Sequence, residues 1–163
     1  MNFFFLRLLA CFLFVPSLSV ARADVFIDGD HVMLQFSPRI VHFNYNPNHN
    51  NLPWLVGAEW ESASRWEVGV AYFKNSFYQP SEYVYVGKRW FLESINENLY
   101  VKLTGGPLYG YKGQYEDKVP FNRNGLAVAI VPAIGYQYGR ANAQIVIFGT
   151  AGLMFTFGYD VWK

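Results

Sequence analysis

The 163 residues are 52% hydrophobic and 20% aromatic but only 15% charged, a composition too apolar for disorder and unusually aromatic for a small soluble domain. The length allows one domain. Thirteen basic and twelve acidic residues give a formal net charge of +1, without the basic surface that phosphate binding needs, so nucleic acid is not an expected partner.

Residues 1–23 read as a cleaved secretory signal: Arg7 precedes an apolar run from Leu8 to Val15, and Ala21 and Ala23 are spaced as signal peptidase requires. Cys11 after Leu8-Leu9-Ala10 weakly resembles a lipoprotein site, but the apolar run continues past it. Cleavage after Ala23 would leave about 140 residues (24–163) with no cysteine, and eleven basic against twelve acidic side chains, a formal charge of −1. No later run approaches the roughly 20 apolar residues of a membrane helix. A secreted all-β chain remains: a soluble barrel, a sandwich or an outer-membrane barrel.

Turn residues and a period of two mark eight strands, near 30–43, 53–61, 66–75, 82–92, 98–112, 124–139, 141–149 and 153–162. Several reach the roughly 9 to 11 residues that a tilted membrane strand needs. Segments 62–65, 93–97 and 139–140 are tight, whereas 44–52, 76–81 and 113–123 are longer and polar; only 150–152 departs from the alternation of short inner turns and long outer loops. The expected fold is therefore an all-β, eight-stranded antiparallel transmembrane barrel. Because a closed barrel has no edge requiring a partner, a monomer is expected.

The faces sort accordingly. The second strand sets Trp54, Val56, Ala58 and Trp60 against Leu55, Gly57, Glu59 and Glu61. The third sets Trp66, Val68, Val70 and Tyr72 against Glu67, Gly69, Ala71 and Phe73. The eighth sets Leu153, Phe155, Phe157, Tyr159 and Val161 against Met154, Thr156, Gly158 and Asp160. In the sixth, Ala127, Ala129, Val131, Ala133 and Gly135 form a small apolar lining. Such a lining suits a tunnel for a hydrocarbon chain; equally, it lets the walls of a narrow eight-stranded barrel pack together. Gly69, Ala71 and Gly87 are candidate floor positions for a tunnel. Pro38 and Pro132 interrupt strand patterns, where a residue without an N–H opens the ladder: a harmless bulge, or a lateral entrance for lipid.

His42 ends the first strand and Asn75-Ser76 the third, all at the long-loop rim. A serine hydroxyl there can attack an ester or hold an oxyanion, and an imidazole can remove and return a proton; the plainer reading is a surface histidine beside a turn. His49 reads as loop, and His31 falls at the other rim. No Cys/His spacing suits zinc, no nucleophile elbow or nucleotide loop is present, and no cofactor or metal is expected.

Tyr72-Phe73-Lys74-Asn75-Ser76-Phe77 is similar to the Phe-Lys-Asp-Ser-Trp segment of the lipid A palmitoyltransferase (PagP) family of Gram-negative outer membranes. Arg39-Ile40-Val41-His42 followed by Pro53-Trp54, and Ala133-Ile134-Gly135-Tyr136-Gln137-Tyr138-Gly139 before two closing strands, resemble that family in order and position. The resemblance implies transfer of a palmitoyl chain from a phospholipid donor to lipid A or lipopolysaccharide in the cell outer membrane. It implies His42 and Ser76 as the essential pair and sets Asn75 where the family has an aspartate. It also implies Pro38 and Pro132 as borders of lateral lipid access; from the small apolar lining, the chain is expected to lie beside Ala127, Ala129 and Ala133, with Gly69, Ala71 and Gly87 as floor positions. On this reading Asn75→Asp should raise transfer. The alternatives are a non-enzymatic outer-membrane barrel with a structural, adhesive or lipid-binding role, and a soluble lipocalin-like barrel.

Overall fold

Period-two alternation carried through eight consecutive segments leaves one apolar and one mixed face on every strand, and closing the sheet separates the two without leaving an edge. The computed structural model describes residues 28–44, 46–50 and 52–163; the expected leader, residues 1–23 with Cys11, lies outside the described residues. Eight strands follow one another: β1 (His31–His42), β2 (Leu55–Glu61), β3 (Trp66–Lys74), β4 (Pro80–Phe91), β5 (Leu99–Tyr109), β6 (Leu126–Tyr138), β7 (Ala141–Ile147) and β8 (Gly152–Trp162). Each pairs antiparallel with the next, and β8 returns to β1, so the barrel is closed.

The ends of the strands have local causes. β4 starts at Pro80, earlier than expected, because proline is tolerated as a strand's first residue. β5 stops at Tyr109 instead of continuing to 112, since Gly110 adopts φ 138°, where L side chains are strained. β7 stops at Ile147, before the turn in which Gly149 takes φ 57°. Between β5 and β6 the polar segment folds as a 3-10 helix, Gly113–Lys118.

The two faces match the alternation in the sequence. On β3, Trp66, Val68 and Val70 are exposed outward while Glu67 and Ala71 are buried inward. On β6, Leu126, Val128 and Ile130 point out, and Ala127 and Ala133 point in. The interior divides along the barrel axis. Toward the long-loop rim it is apolar, with Leu55, Ala71, Tyr83, Leu108, Ala133, Val146 and Met154 packed as one cluster. Toward the short-turn rim it holds Glu59, Glu61, Glu67, Arg89 and Lys102, all buried.

Candidate functional site

His42, the last residue of β1, and Ser76, in the turn between β3 and β4, meet at the long-loop rim. The Ser76 hydroxyl lies 2.7 Å from His42 Nε2, the geometry in which Oγ–H donates to a ring protonated at Nδ1. The turn that carries Ser76 is built by its neighbour. Asn75 Oδ1 accepts from the Phe77 N–H at 2.8 Å and the Gln79 N–H at 3.0 Å, and Nδ2 donates to Ser81 Oγ at 3.1 Å. An asparagine folding its own backbone two residues on is a favoured turn device, and it lets Tyr78 take φ 61°. Asn75 is 1% exposed, and none of its hydrogen bonds goes to His42. Asn75 stands where the resembled family has an aspartate, and its amide is committed to the turn.

The β1–β2 loop is fastened to that turn by Asn50. Its N–H donates to the Ser76 carbonyl at 2.7 Å, and its Nδ2 donates to the Asn75 carbonyl at 3.2 Å. His49, read as plain loop, packs edge-on against Phe77 with ring centroids 4.9 Å apart, and Tyr78 Oη donates to its carbonyl. Phe77 in turn stacks on Tyr115 of the 3-10 segment at 4.1 Å. The three long-loop connections thus form one aromatic rim around the His42–Ser76 pair.

Beneath the pair a cavity of about 610 Å³ descends into the barrel, a volume typical of small-molecule sites. His42, Asn75 and Ser76 line its mouth; Ile40, Leu55, Ala71, Phe73, Ala129, Val131, Ala133, Val146 and Met154 are among its walls. Val119, Pro120 and Phe121 of the β5–β6 loop lean over it, and Tyr111 lines it from below that loop, its phenol pushed by burial up to about 12. Of the six expected chain-binding positions, Ala71, Ala129 and Ala133 line the cavity. The other three do not, two of them for a steric reason. Gly69 lies under the Tyr85 ring, Gly87 is packed against Thr104 and the Leu103 carbonyl, and Ala127 is buried outside the lining.

Tyr85 therefore stands above Gly69 as part of the floor, with Gln35, Lys102, Thr104, Gln144 and Thr156. Below it runs the ionic cluster. Arg89 pairs with Glu59 at 3.3 Å, Glu61 at 3.0 Å and Glu67 at 3.0 Å; Lys102 pairs with Glu67 at 3.0 Å and, more closely, with Glu59. Tyr85 Oη donates to Glu59 Oε2 at 2.7 Å. Glu59, Glu61 and Glu67 fall on the inward faces that the alternation of β2 and β3 marks, while their partners lie on β4 and β5. Alternation along β4 and β5 carries the signal for these, since Tyr83, Tyr85, Gly87 and Arg89 share one face, as do Tyr100, Lys102 and Thr104.

Both prolines sit where pairing stops. The β6–β7 ladder runs from Tyr138↔Ala141 to Ala133↔Val146 and ends beside Pro132. Gln137 donates its N–H to Asn98 of the β4–β5 connection, so strand alternation turns the nitrogen at position 132 the other way, toward β7. Val128, Ile130, Pro132 and Ile147 edge the cavity there, which makes the gap a side opening of the wall. On β1, the ladder to β2 ends at Ser37↔Leu55, and the register to β8 shifts between Phe36 and Arg39, a bulge that contains Pro38.

Chemically, the site offers a hydroxyl paired with an imidazole at the mouth of an apolar cavity that is open both at the rim and through the wall. Among the described residues no group of three or more His, Cys, Asp or Glu side chains could hold a metal ion. Neither a scan of protein-family models nor a search of curated proteins finds a match to this chain.

Proposed function

We propose that this barrel sits in the cell outer membrane and moves a palmitoyl-type acyl chain from a phospholipid to lipid A or lipopolysaccharide. The observation that carries the reading is the 2.7 Å His42–Ser76 hydrogen bond at the mouth of a 610 Å³ cavity walled by Ala71, Ala133, Val146 and Met154. A hydrocarbon chain gains about 0.8 kcal/mol per methylene removed from water, so such a cavity favours a chain whose ester is held at the rim.

The membrane part rests on the outer surface. Leu34, Phe36, Val68, Val70, Val86 and Phe157 project from it uncovered, and a band of that kind suits lipid. Toward both rims, cations lie over aromatic rings: Lys112 over Tyr109 at 4.2 Å at one end, Lys88 over Trp66 at 5.0 Å at the other. Long amines that lie along aromatic groups and reach for water are favoured at membrane interfaces.

The pair supports transfer as follows. His42 Nε2 takes the Ser76 proton as Oγ attacks the donor's ester carbonyl. Collapse of the tetrahedral adduct breaks the ester bond, and the lysophospholipid oxygen leaves with the proton from His42. An acceptor hydroxyl then gives its proton to Nε2, attacks the acyl-serine, and restores Ser76 as Oγ recovers that proton. In a second route with the same groups, His42 activates the acceptor hydroxyl directly while Ser76 donates to the oxyanion.

The test is reconstitution of the chain in vesicles with labelled phospholipid and lipid A, read by product mass. Transfer that His42→Ala or Ser76→Ala abolishes supports the reading; transfer indifferent to both removes them from the mechanism. Absence of transfer favours a non-enzymatic lipid-binding barrel. That second reading draws on Asn75, whose amide leaves His42 without a carboxylate from this turn.

A further inference from the structure

The cavity that begins apolar ends polar. Its floor is made by Gln35, Tyr85, Lys102, Thr104, Gln144 and Thr156. Five of these are already hydrogen-bonded or ion-paired to protein: Gln35 Nε2 donates to Tyr85 Oη at 2.7 Å, Gln144 Nε2 donates to Gln35 Oε1 at 3.2 Å, Thr104 Oγ1 donates to the Val131 carbonyl at 3.2 Å, and Lys102 pairs with Glu67 at 3.0 Å. Thr156 differs. Its side chain is 2% exposed, and its hydroxyl finds no hydrogen-bond partner among the described residues. A buried hydroxyl left unpaired is costly, and native structures rarely tolerate one without a water or ligand to complete it.

A methyl terminus pressed on this floor would leave the Thr156 hydroxyl unpaired and strip water from the amides of Gln35 and Gln144. The Thr156 hydroxyl itself has almost no accessible surface, so a ligand oxygen reaches it by a χ1 rotation that exchanges methyl and hydroxyl, and then meets a group able both to donate and to accept. The geometry points to a polar subsite at the cavity floor, centred on Thr156, that takes an acyl chain bearing a hydroxyl or similar oxygen near its far end. This deepens the acyl-chain reading and rests on the cavity holding such a chain. Length follows from position. Thr156 lies four residues along β8 from Gly152, which pairs with His42 at the rim, about 13 Å along the strand. That span is shorter than the ~15 Å half-thickness of a hydrocarbon core, so the chain whose end meets Thr156 is of medium length, shorter than a palmitoyl chain, which narrows the chain named in the proposed function.

The experiment measures binding, not transfer. The full chain in amphipol is loaded with a fluorescent fatty acid, which is displaced by saturated acids and their terminally hydroxylated counterparts from about 8 to about 16 carbons, bracketing the estimated depth. At the best-fitting length the hydroxylated acid should bind about five- to tenfold more tightly. Thr156→Val, which keeps the shape and removes the oxygen, should erase that preference. Equal affinities in the wild-type chain, as when a water stays on Thr156 beneath a plain tail, would overturn the subsite, as would a preference that survives Thr156→Val. The hydroxyl preference here, together with no transfer in the vesicle assay, would defeat only the acyltransferase reading, whereas failure of every chain to bind would defeat both.

Discussion

The ring of Tyr85 lies across Gly69, its register partner on β3, in the space where a Cβ at position 69 would stand. Tyr85 has little freedom to retreat: it stacks on Tyr83 with centroids 4.9 Å apart, accepts from Gln35 and donates to Glu59. Gly69→Ala is therefore expected to cost about 1–3 kcal/mol through overpacking and to raise the Tyr85 ring into the cavity. Urea unfolding should report the first effect. A shift of the longest bound fatty acid toward fewer carbons should report the second; an unchanged length limit would mean that Tyr85 does not bound the chain.

Asn75→Asp is expected to leave transfer within about twofold of the wild-type rate, not to raise it. A carboxylate at this position still accepts from the Phe77 and Gln79 N–H groups, and the Ser81 hydroxyl can rotate to donate where it now accepts. The turn survives, and the new charge remains directed at the turn's backbone. Transfer rates by product mass decide the matter. A gain of tenfold, about 1.4 kcal/mol in barrier, would show that the side chain turns toward His42 during turnover.

How the sequence anticipated this site depends on which physical signal each residue leaves. The eight strands and their faces were legible because bulky residues alternate with small or polar ones on every wall, as Trp66, Val68 and Val70 do against Glu67, Gly69 and Ala71. Topology placed His42 and Ser76 at one rim, since each stands at or just past the end of a strand there, but not the 2.7 Å contact between them. The floor was not legible, because its height depends on where a large ring settles over a glycine, and alternation gives a residue's face without its depth. Gly69 and Gly87 thus read as lining although Tyr85 and Thr104 cover them. Asn50 reads only as loop, since its two bonds to the β3–β4 turn cross 25 and 26 positions of sequence and leave no local pattern.

Asn50→Ala is expected to reduce transfer by about tenfold while leaving the barrel folded. The substitution removes the bond to the Asn75 carbonyl and the acceptor for the Leu52 N–H, a loss of about 1–2 kcal/mol confined to the rim. If Asn50 acts by holding Ser76 against His42, the His42 ring-nitrogen resonances should change on Ser76→Ala in the wild-type background and hardly at all in Asn50→Ala. A full response in both backgrounds would reduce Asn50 to a loop fastener.

The ionic cluster predicts an asymmetry between single and joint replacement. Arg89→Met strands Glu59, Glu61 and Glu67 with only part of their counter-charge and should destabilise the barrel by about 3–5 kcal/mol. Replacing Arg89, Lys102, Glu59 and Glu67 together by apolar residues of similar volume should be close to neutral. Unfolding midpoints measured at low and high salt test both, and salt should change neither greatly because the charges are buried. A single variant as stable as wild type would mean that water already reaches the cluster.

Pro132 governs the side opening through a hydrogen bond it cannot make. The nitrogen at position 132 points toward β7, and the ladder ends one pair away, at Ala133↔Val146. Pro132→Ala restores the donor, so pairing should extend toward Ile147, with a gain of about 0.5–1.5 kcal/mol in stability. The same added pair draws together the edges formed by Ile130 and Ile147. A chain arriving from the side should then load more slowly, while one already inside should bind as before. Stopped-flow quenching of a fluorescent phospholipid tail separates the two, because the loading rate should fall with the equilibrium affinity unchanged. Slower loading of Pro132→Ala beside normal loading of Pro38→Ala would assign lipid admission to the β6–β7 side, since the ladder between β1 and β8 resumes at Arg39↔Phe155 beyond the bulge. Equal loading in all three proteins would instead mean that chains descend from the rim past Phe121.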